Sequence, residues 1–254
     1  MDVKWNLVQA AEDAHRTQVF SGGMKTVIER RLSRLPWLLL NVVLLGFTVP
    51  DARLRALGTT IATAAAATHN FAWSLVTALR NGGDCEIGLL STFPVHDYPR
   101  HRRLILLGGS FEDPAVSEGR LVGFLNVRGA KHLGRFIGLL RHGPPLIRSR
   151  RARVVLVHGV HLPFLWFARL ARRRYRVAAV AVLTDPPGVV LPSDGPLTRL
   201  MRKLDRYLVR RALNGMDGAI CLTRELGVEF APTACRLVME GIVNPRLESV
   251  PTPR

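Results

Sequence analysis

Val154-Val155-Leu156-Val157-His158-Gly159-Val160-His161-Leu162-Pro163, followed by Val177-Ala178-Ala179-Val180-Ala181-Val182-Leu183-Thr184-Asp185-Pro186-Pro187, decides the fold. Both stretches are short and apolar, and each ends in a polar signature. Between them, the segment from Phe164 to Arg174 suits a helix better than a loop. Strand, helix and strand in that order read as a βαβ unit of a parallel sheet. Ligands of such sheets sit outside the carboxyl ends of the strands. His158, His161 and Asp185 fall at those ends. One segment therefore supplies a fold and a candidate site.

Working toward the amino terminus, the run from Trp37 to Val49 follows Arg30, Arg31 and Arg34. A basic flank before a short apolar run resembles a signal-peptide core, but the run is shorter than the ~20 residues a spanning helix needs. Pro50-Asp51-Ala52 is also a poor small-residue cleavage site. The run reads better as a first buried parallel strand, apolar throughout because both faces are covered. Residues 1–36 are then a polar extension. Thr59-Thr60 is expected to cap a helix with apolar positions at Ile61, Ala64, Ala65, Thr68, Ala72, Leu75, Val76 and Leu79, stopped by Asn81-Gly82-Gly83. Cys85 to Ser91 reads as a second strand and Leu104 to Leu107 as a third. The Thr92–Pro99 and Gly108–Gly119 stretches read as loops. His132 to Leu140 suggests a helix closed by Gly143-Pro144-Pro145.

Toward the carboxyl end, Asp194-Gly195-Pro196 starts a helix with proline near its first turn. Leu197, Leu200, Met201, Leu204, Tyr207 and Leu208 form one apolar stripe on it, with arginines largely outside. Ala219 to Thr223 and Arg236 to Val243 read as sixth and seventh strands, and residues 244–254 as a linker or tail. The expected fold is a Rossmann-like α/β domain over residues 37–243, with six or seven parallel strands flanked by helices.

The 254 residues, 48% of them apolar, suffice for a full core. The formal net charge is +17, and nearly all the positive charge is arginine, crowded into 141–153, 169–176 and 199–211. Such a surface attracts phosphate, in nucleic acid, in anionic lipid headgroups or in nucleotide-linked substrates. Arginines coating solvated helix faces are the alternative. Cys85, Cys221 and Cys235 are odd in number and widely spaced. That argues against a disulfide framework or a structural zinc site and fits a reducing compartment.

The chain has no Gly-x-Gly-x-x-Gly after the first strand, no phosphate-binding Gly-Lys-Ser/Thr loop, no His-Glu-x-x-His and no Gly-x-Ser-x-Gly elbow. As a metal pair, His158 and His161 are poor, because residues three apart on a strand point to opposite faces. In the loop after the strand, a neutral His161 imidazole can hydrogen-bond a sugar hydroxyl, relay a proton, or simply fill the turn. Asp185 can accept hydrogen bonds from a polar substrate or cap its own turn.

Taken in order, His158-Gly-Val-His161-Leu-Pro163, Leu183-Thr184-Asp185-Pro186-Pro187, Met216-Asp217-Gly218-Ala219-Ile220-Cys221-Leu222-Thr223 and Val238-Met239-Glu240-Gly241-Ile242-Val243 resemble the amino-terminal half of retaining GT-B glycosyltransferases. The likeness is to the family-4 type, which includes enzymes of polysaccharide and glycolipid synthesis. His69-Asn70 and the stretch from Ser91 to Pro99, with His96, extend it upstream, so that it covers Asn41 to Val243. The resemblance implies a domain that receives a sugar or lipid-linked acceptor, with His161 and Asp185 as catalytic candidates and His158, His69, Asn70 and His96 as acceptor-binding ones. It implies no metal and no resident cofactor. It also implies that the nucleotide-sugar is held mainly by a second, carboxyl-terminal donor domain or companion chain. The isolated chain is then expected to transfer no sugar.

The rival from a different class is a basic module that binds nucleic acid or a membrane surface on a Rossmann-like scaffold. The net charge favours it. The absence of a nucleic-acid motif and of aromatics interleaved in the arginine runs counts against nucleic acid. The expected location is cytoplasmic, with peripheral attachment to the inner face of an anionic membrane as an option.

Overall fold

The computed structural model describes residues 41–57, 63–81 and 85–239. The expectations for residues 1–36, the Thr59-Thr60 cap, the Gly82-Gly83 stop and the 244–254 tail lie outside them.

Strand β1 (Val42–Gly46) is buried at every position, as its unbroken apolar sequence requires of a strand covered on both faces. It leads through α1 (Asp51–Ala56) and α2 (Thr63–Asn81) to β2 (Ile87–Thr92). The chain then makes β3 (Ile105–Leu106), β4 (Gly109–Asp113), β5 (Val116–Val122) and β6 (Phe124–Leu125). A second run follows: α3 (Ala130–Ser149), β7 (Val154–His158), α4 (Leu162–Tyr175), β8 (Ala178–Leu183), α5 (Pro196–Leu213), β9 (Gly218–Cys221), α6 (Arg224–Phe230) and β10 (Cys235–Val238).

Eight strands form one sheet in the order β10-β9-β8-β7-β1-β2-β5-β4. Every neighbouring pair is parallel except β4 with β5 at the edge. Alternation along the strands divides the core in two. On one face Val42, Leu44, Ile87, Leu89 and Leu156 pack with Leu54 of α1 and with Trp73, Leu75 and Val76 of α2. On the other, Val43, Leu45, Val155, Val157, Ala179 and Ala181 pack with Leu139 and Leu146 of α3, Phe164 and Phe167 of α4, and Val209 and Leu213 of α5. The fold is thus α/β, a mostly parallel sheet flanked by helices. Among the described residues no helix is long and apolar enough to cross a membrane.

Four local departures from the sequence expectations have physical causes. The Gly108–Gly119 stretch is not a loop but carries β4 and part of β5, which close the sheet edge as a hairpin. Its Gly119 hid the strand, yet a Cβ there would stand 2.4 Å from the Phe111 ring, so the missing side chain is what lets Phe111 pack across the pair. Ile105 and Leu106 do not join the main sheet. They pair with β6 in a separate two-stranded antiparallel sheet. Helix α3 does not close at Gly143-Pro144-Pro145 but runs through it to Ser149. Two missing amide donors are tolerated because Leu146 and Ile147 beyond them are buried in the core, and because Gly143 admits the Phe167 ring where a Cβ would overlap it. Finally, Thr223 ends no strand. Its hydroxyl accepts from the Leu226 amide and caps α6, an element the sequence expectations did not include.

Candidate functional site

The order of strands fixes where a ligand can sit. From β1 the chain moves outward through β2 to β5, then returns to place β7 on the other side of β1. That reversal makes the carboxyl ends of β1 and β7 the topological switch point of the sheet, the place where ligands of such folds bind. Gly46 ends β1 opposite Ser91 of β2. A Cβ on Gly46 would stand 2.7 Å from the His158 carbonyl oxygen, so glycine is what allows β1 and β7 to approach at this edge.

The two histidines of the β7 signature diverge from this edge. His158 turns toward α2, where its ring stacks on Phe71 at 5.3 Å with an interplanar angle of 19°. It is fully buried, and neither ring nitrogen has a hydrogen-bond partner in the protein. Burial pushes its pKa down to about 4, against a weaker upward pull from Asp185. Ser91 Oγ and Thr48 Oγ1 near the same strand ends are also buried without a protein partner. Buried polar atoms left open in this way are costly, on the order of 1–3 kcal/mol each, and are groups a substrate hydroxyl or a water can satisfy.

His161 turns the other way. Gly159, with a left-handed φ of 78°, redirects the chain after β7, and His161 takes the N-cap position of α4 without capping it through its side chain. Its ring meets Phe47 edge-on at 4.8 Å and lies nearly parallel to His132 of α3 at 6.3 Å. The residue is exposed by surface area although protein crowds the ring closely. Water therefore still reaches the imidazole and softens its desolvation. Its pKa nonetheless lies below the ordinary value, first from that crowding and then from Arg135, His132 and Lys131.

Around it stands a cationic group contributed by the start of α3. Arg135 is 3% exposed, donates from Nε to Thr92 Oγ1 at 3.1 Å and from a terminal nitrogen to the Phe93 carbonyl at 2.8 Å, and lies over the Phe47 and Phe124 rings. No carboxylate lies within ion-pair distance of it among the described residues. Burial lowers its pKa to about 10, and it stays charged at neutral pH. Lys131 pairs with Asp97, whose carboxyl is held below its usual value chiefly by that bond. His132 is also lowered, by burial and then by Arg135 and Lys131. Helices α3 and α4 both begin here, with no side-chain cap and no acidic residue in the first turn. Their amide ends add to the positive potential.

The remaining sequence candidates lie apart. Asp185 is exposed just beyond β8 and accepts from the Thr184 hydroxyl at 2.9 Å. Its charge is felt by His158, not among the groups that shift His161. His69 is buried in α2, with Nε2 2.8 Å from Asp51 Oδ1 of α1 and its ring edge-on to Trp73. Asn70 is exposed beside it, and its carbonyl accepts from the Ser74 hydroxyl. His96 is exposed in the loop after β2, which buried Asn126 pins by donating to the carbonyls of His96 and Arg103 at 2.9 and 3.2 Å. Among the described residues no three potential metal ligands gather. A concavity follows the β4–β5 hairpin and is lined by residues that include Glu112, Asp113 and Glu118. It lies at the β4 edge of the sheet, away from the switch point, where the unpartnered buried atoms of His158, Ser91 and Thr48 gather.

Phe47, Lys131, His132 and Arg135 were not anticipated from sequence. A signal for three of them existed. Basic residues in a helix's first turns oppose its dipole, and a local rule broken in this way often marks a functional site.

No family model and no curated protein matches the chain. Solved structures do. A UDP-GlcNAc 2-epimerase from Methanocaldococcus jannaschii aligns at 12% identity and a TM-score of 0.40, covering 76% of this chain and 42% of that one. A sucrose-phosphate synthase from Thermosynechococcus elongatus aligns at 8% identity and a TM-score of 0.42, covering 78% and 47%. The chain spans less than half the length of either.

Proposed function

We propose that this chain is the acceptor-side half of a GT-B glycosyltransferase, which transfers a sugar from a nucleotide-sugar to a saccharide or lipid-linked acceptor when a donor domain faces the carboxyl edge of its sheet. The observation that carries the reading is His161, a neutral imidazole held open to water at the switch point between two helix starts and beside Arg135 and Lys131. A neutral ring there accepts a hydrogen bond from an acceptor hydroxyl and orients it. Its lowered basicity makes orientation its first task and proton uptake its second. The charge of Arg135, which has no carboxylate at ion-pair distance among the described residues, and the helix amide ends favour an anionic group, such as a phosphate of the donor or acceptor, in the same place. Asp185, at the next strand end, accepts hydrogen bonds from another part of the substrate. The family-4 likeness of the ordered motifs supplies the reaction class, since a fold alone does not.

The test is a titration followed by imidazole NMR signals. Lipid-linked and free saccharide acceptors are expected to shift the His161 and His132 resonances, and nucleotide-sugars alone to leave the chain weakly occupied. Tight nucleotide-sugar binding with no response to acceptors would overturn the assignment of halves. Steeply salt-dependent binding to random DNA, with no response to any sugar, would favour the basic nucleic-acid module instead.

A further inference from the structure

An apolar stripe on a surface helix ordinarily faces the core, but on α5 it faces out. Leu197 is 72% exposed, Leu200 62%, Met201 52%, Leu204 47% and Tyr207 58%. The helix is held by its last turns, through Val209, Ala212 and Leu213. At 100° per residue, the partly buried Thr198, Arg202 and Asp205 share that packed side, and the five exposed stripe residues centre about 130° around the helix from it, with Met201 nearest the packed side and Leu208 of the same stripe half-buried. The preceding loop adds exposed Val189, Val190 and Leu191.

Charge identifies what would cover this face. Arg199, Lys203 and Arg210 flank the stripe with no ion pair to a carboxylate among the described residues, while Arg202 is paired with Asp194 and Arg206 with Glu229. The only acid on the helix is half-buried Asp205, whose pKa burial raises. Exposed leucines, an aromatic at the stripe's end and unpaired cations alongside are the composition of a helix that lies in a lipid headgroup layer. A second copy of the chain would instead bring like charges together.

We infer that the outer face of α5 is a docking surface for an anionic lipid bilayer. Leucine side chains enter the acyl boundary, and Arg199, Lys203 and Arg210 meet the headgroup phosphates. The inference stands independently of sugar transfer, since vesicles alone report on it.

Co-sedimentation with vesicles of phosphatidylcholine, and of equal parts phosphatidylcholine and phosphatidylglycerol, tests it with the full chain. The chain is expected to bind the anionic vesicles and not the neutral ones. The double substitution Leu200→Ser/Leu204→Ser leaves net charge and the packed side untouched. It is expected to weaken anionic-vesicle binding by about tenfold or more, since each partly exposed leucine contributes up to that much. Val228→Ser, an apolar-to-serine change at an exposed position of α6, is expected to leave binding unchanged. Equal binding by the double variant would show that the arginines adhere without α5 and would overturn the inference. So would binding to neither vesicle, equal loss in Val228→Ser, or a dimer that the double variant converts to monomer.

Discussion

His158 and His161 are three residues apart and occupy opposite faces of one sheet: the first stacks on Phe71 of α2, the second stands edge-on to Phe47 beside α3 and α4. The same signature therefore serves two ends. His158→Ala empties a fully buried site behind a stacked ring and is expected to cost about 2–4 kcal/mol in urea unfolding. His161→Ala removes a ring that meets Phe47 and His132 from a residue that stays exposed by surface area, and is expected to cost less, about 1 kcal/mol or under, while weakening acceptor binding. Equal destabilisation by both variants would remove His161 from the site.

The buried member also sets a pH dependence. Its folded pKa of about 4 lies below the value of about 6.5 expected when the chain is unfolded. Between those values the unfolded chain binds a proton that the folded chain refuses. Stability must then fall as pH falls from about 6.5 toward 4, by up to ~1.4 kcal/mol per pH unit, and be indifferent to His158 at higher pH. The other lowered histidines, His101, His132, His142 and His161, pull in the same direction, so the readout is a difference. Unfolding free energies of the wild type and His158→Gln, measured from pH 7 to pH 4, are expected to converge as the pH drops. Parallel curves would place the acid sensitivity elsewhere.

Arg135 makes the potential around His161 measurable. Methionine at this position keeps much of the length and contact with the Phe47 and Phe124 rings but leaves the Phe93 carbonyl without its donor. A loss of about 1–3 kcal/mol is expected for that open group. More telling is the electrostatic consequence. Because Arg135 lowers both His161 and His132, Arg135→Met is expected to raise the pKa of each in an NMR titration. An unchanged His161 would mean that its shift arises from crowding and from its other cationic neighbours, His132 and Lys131, and not from Arg135.

The parallel core was legible because its strands are buried on both faces, and unbroken apolar runs such as Val154–Val157 have few other uses. The antiparallel hairpin was not, since β4 and β5 mix glycines, acids and serines, and their order comes from pairing at the sheet edge rather than from composition. The strand ends bearing His158, His161 and Asp185 could be placed by topology alone. Which face each side chain takes depends on Gly159, whose left-handed turn sends His161 away from its neighbour. Arg135 escaped notice for a related reason. Its meaning lies in its hydrogen bonds to the Thr92 hydroxyl and the Phe93 carbonyl and in the rings around it, all contributed by residues at least ten positions distant in the chain.

Gly46 tests the switch point itself. It ends β1 between Ser91 on one side and His158 on the other, and the absence of a side chain is the condition for that spacing. The atom a new Cβ would meet is backbone, the His158 carbonyl oxygen at 2.7 Å, so no rotamer change relieves the overlap. Gly46→Ala must move β1 from β7 at the ligand-binding edge, and overpacking of this kind costs about 1–3 kcal/mol. The displacement also shifts Phe47, the ring against which both His161 and Arg135 are set. The variant is therefore expected to lose stability and, at temperatures where it remains folded, to show altered His161 and His132 imidazole resonances. Gly88→Ala in β2, whose Cβ would press only on the side chain of Leu146 at 3.2 Å, is the matched control and is expected to leave those resonances in place. A folded Gly46→Ala with wild-type stability and unchanged imidazole signals would show that the close approach of β1 and β7 does not shape the site.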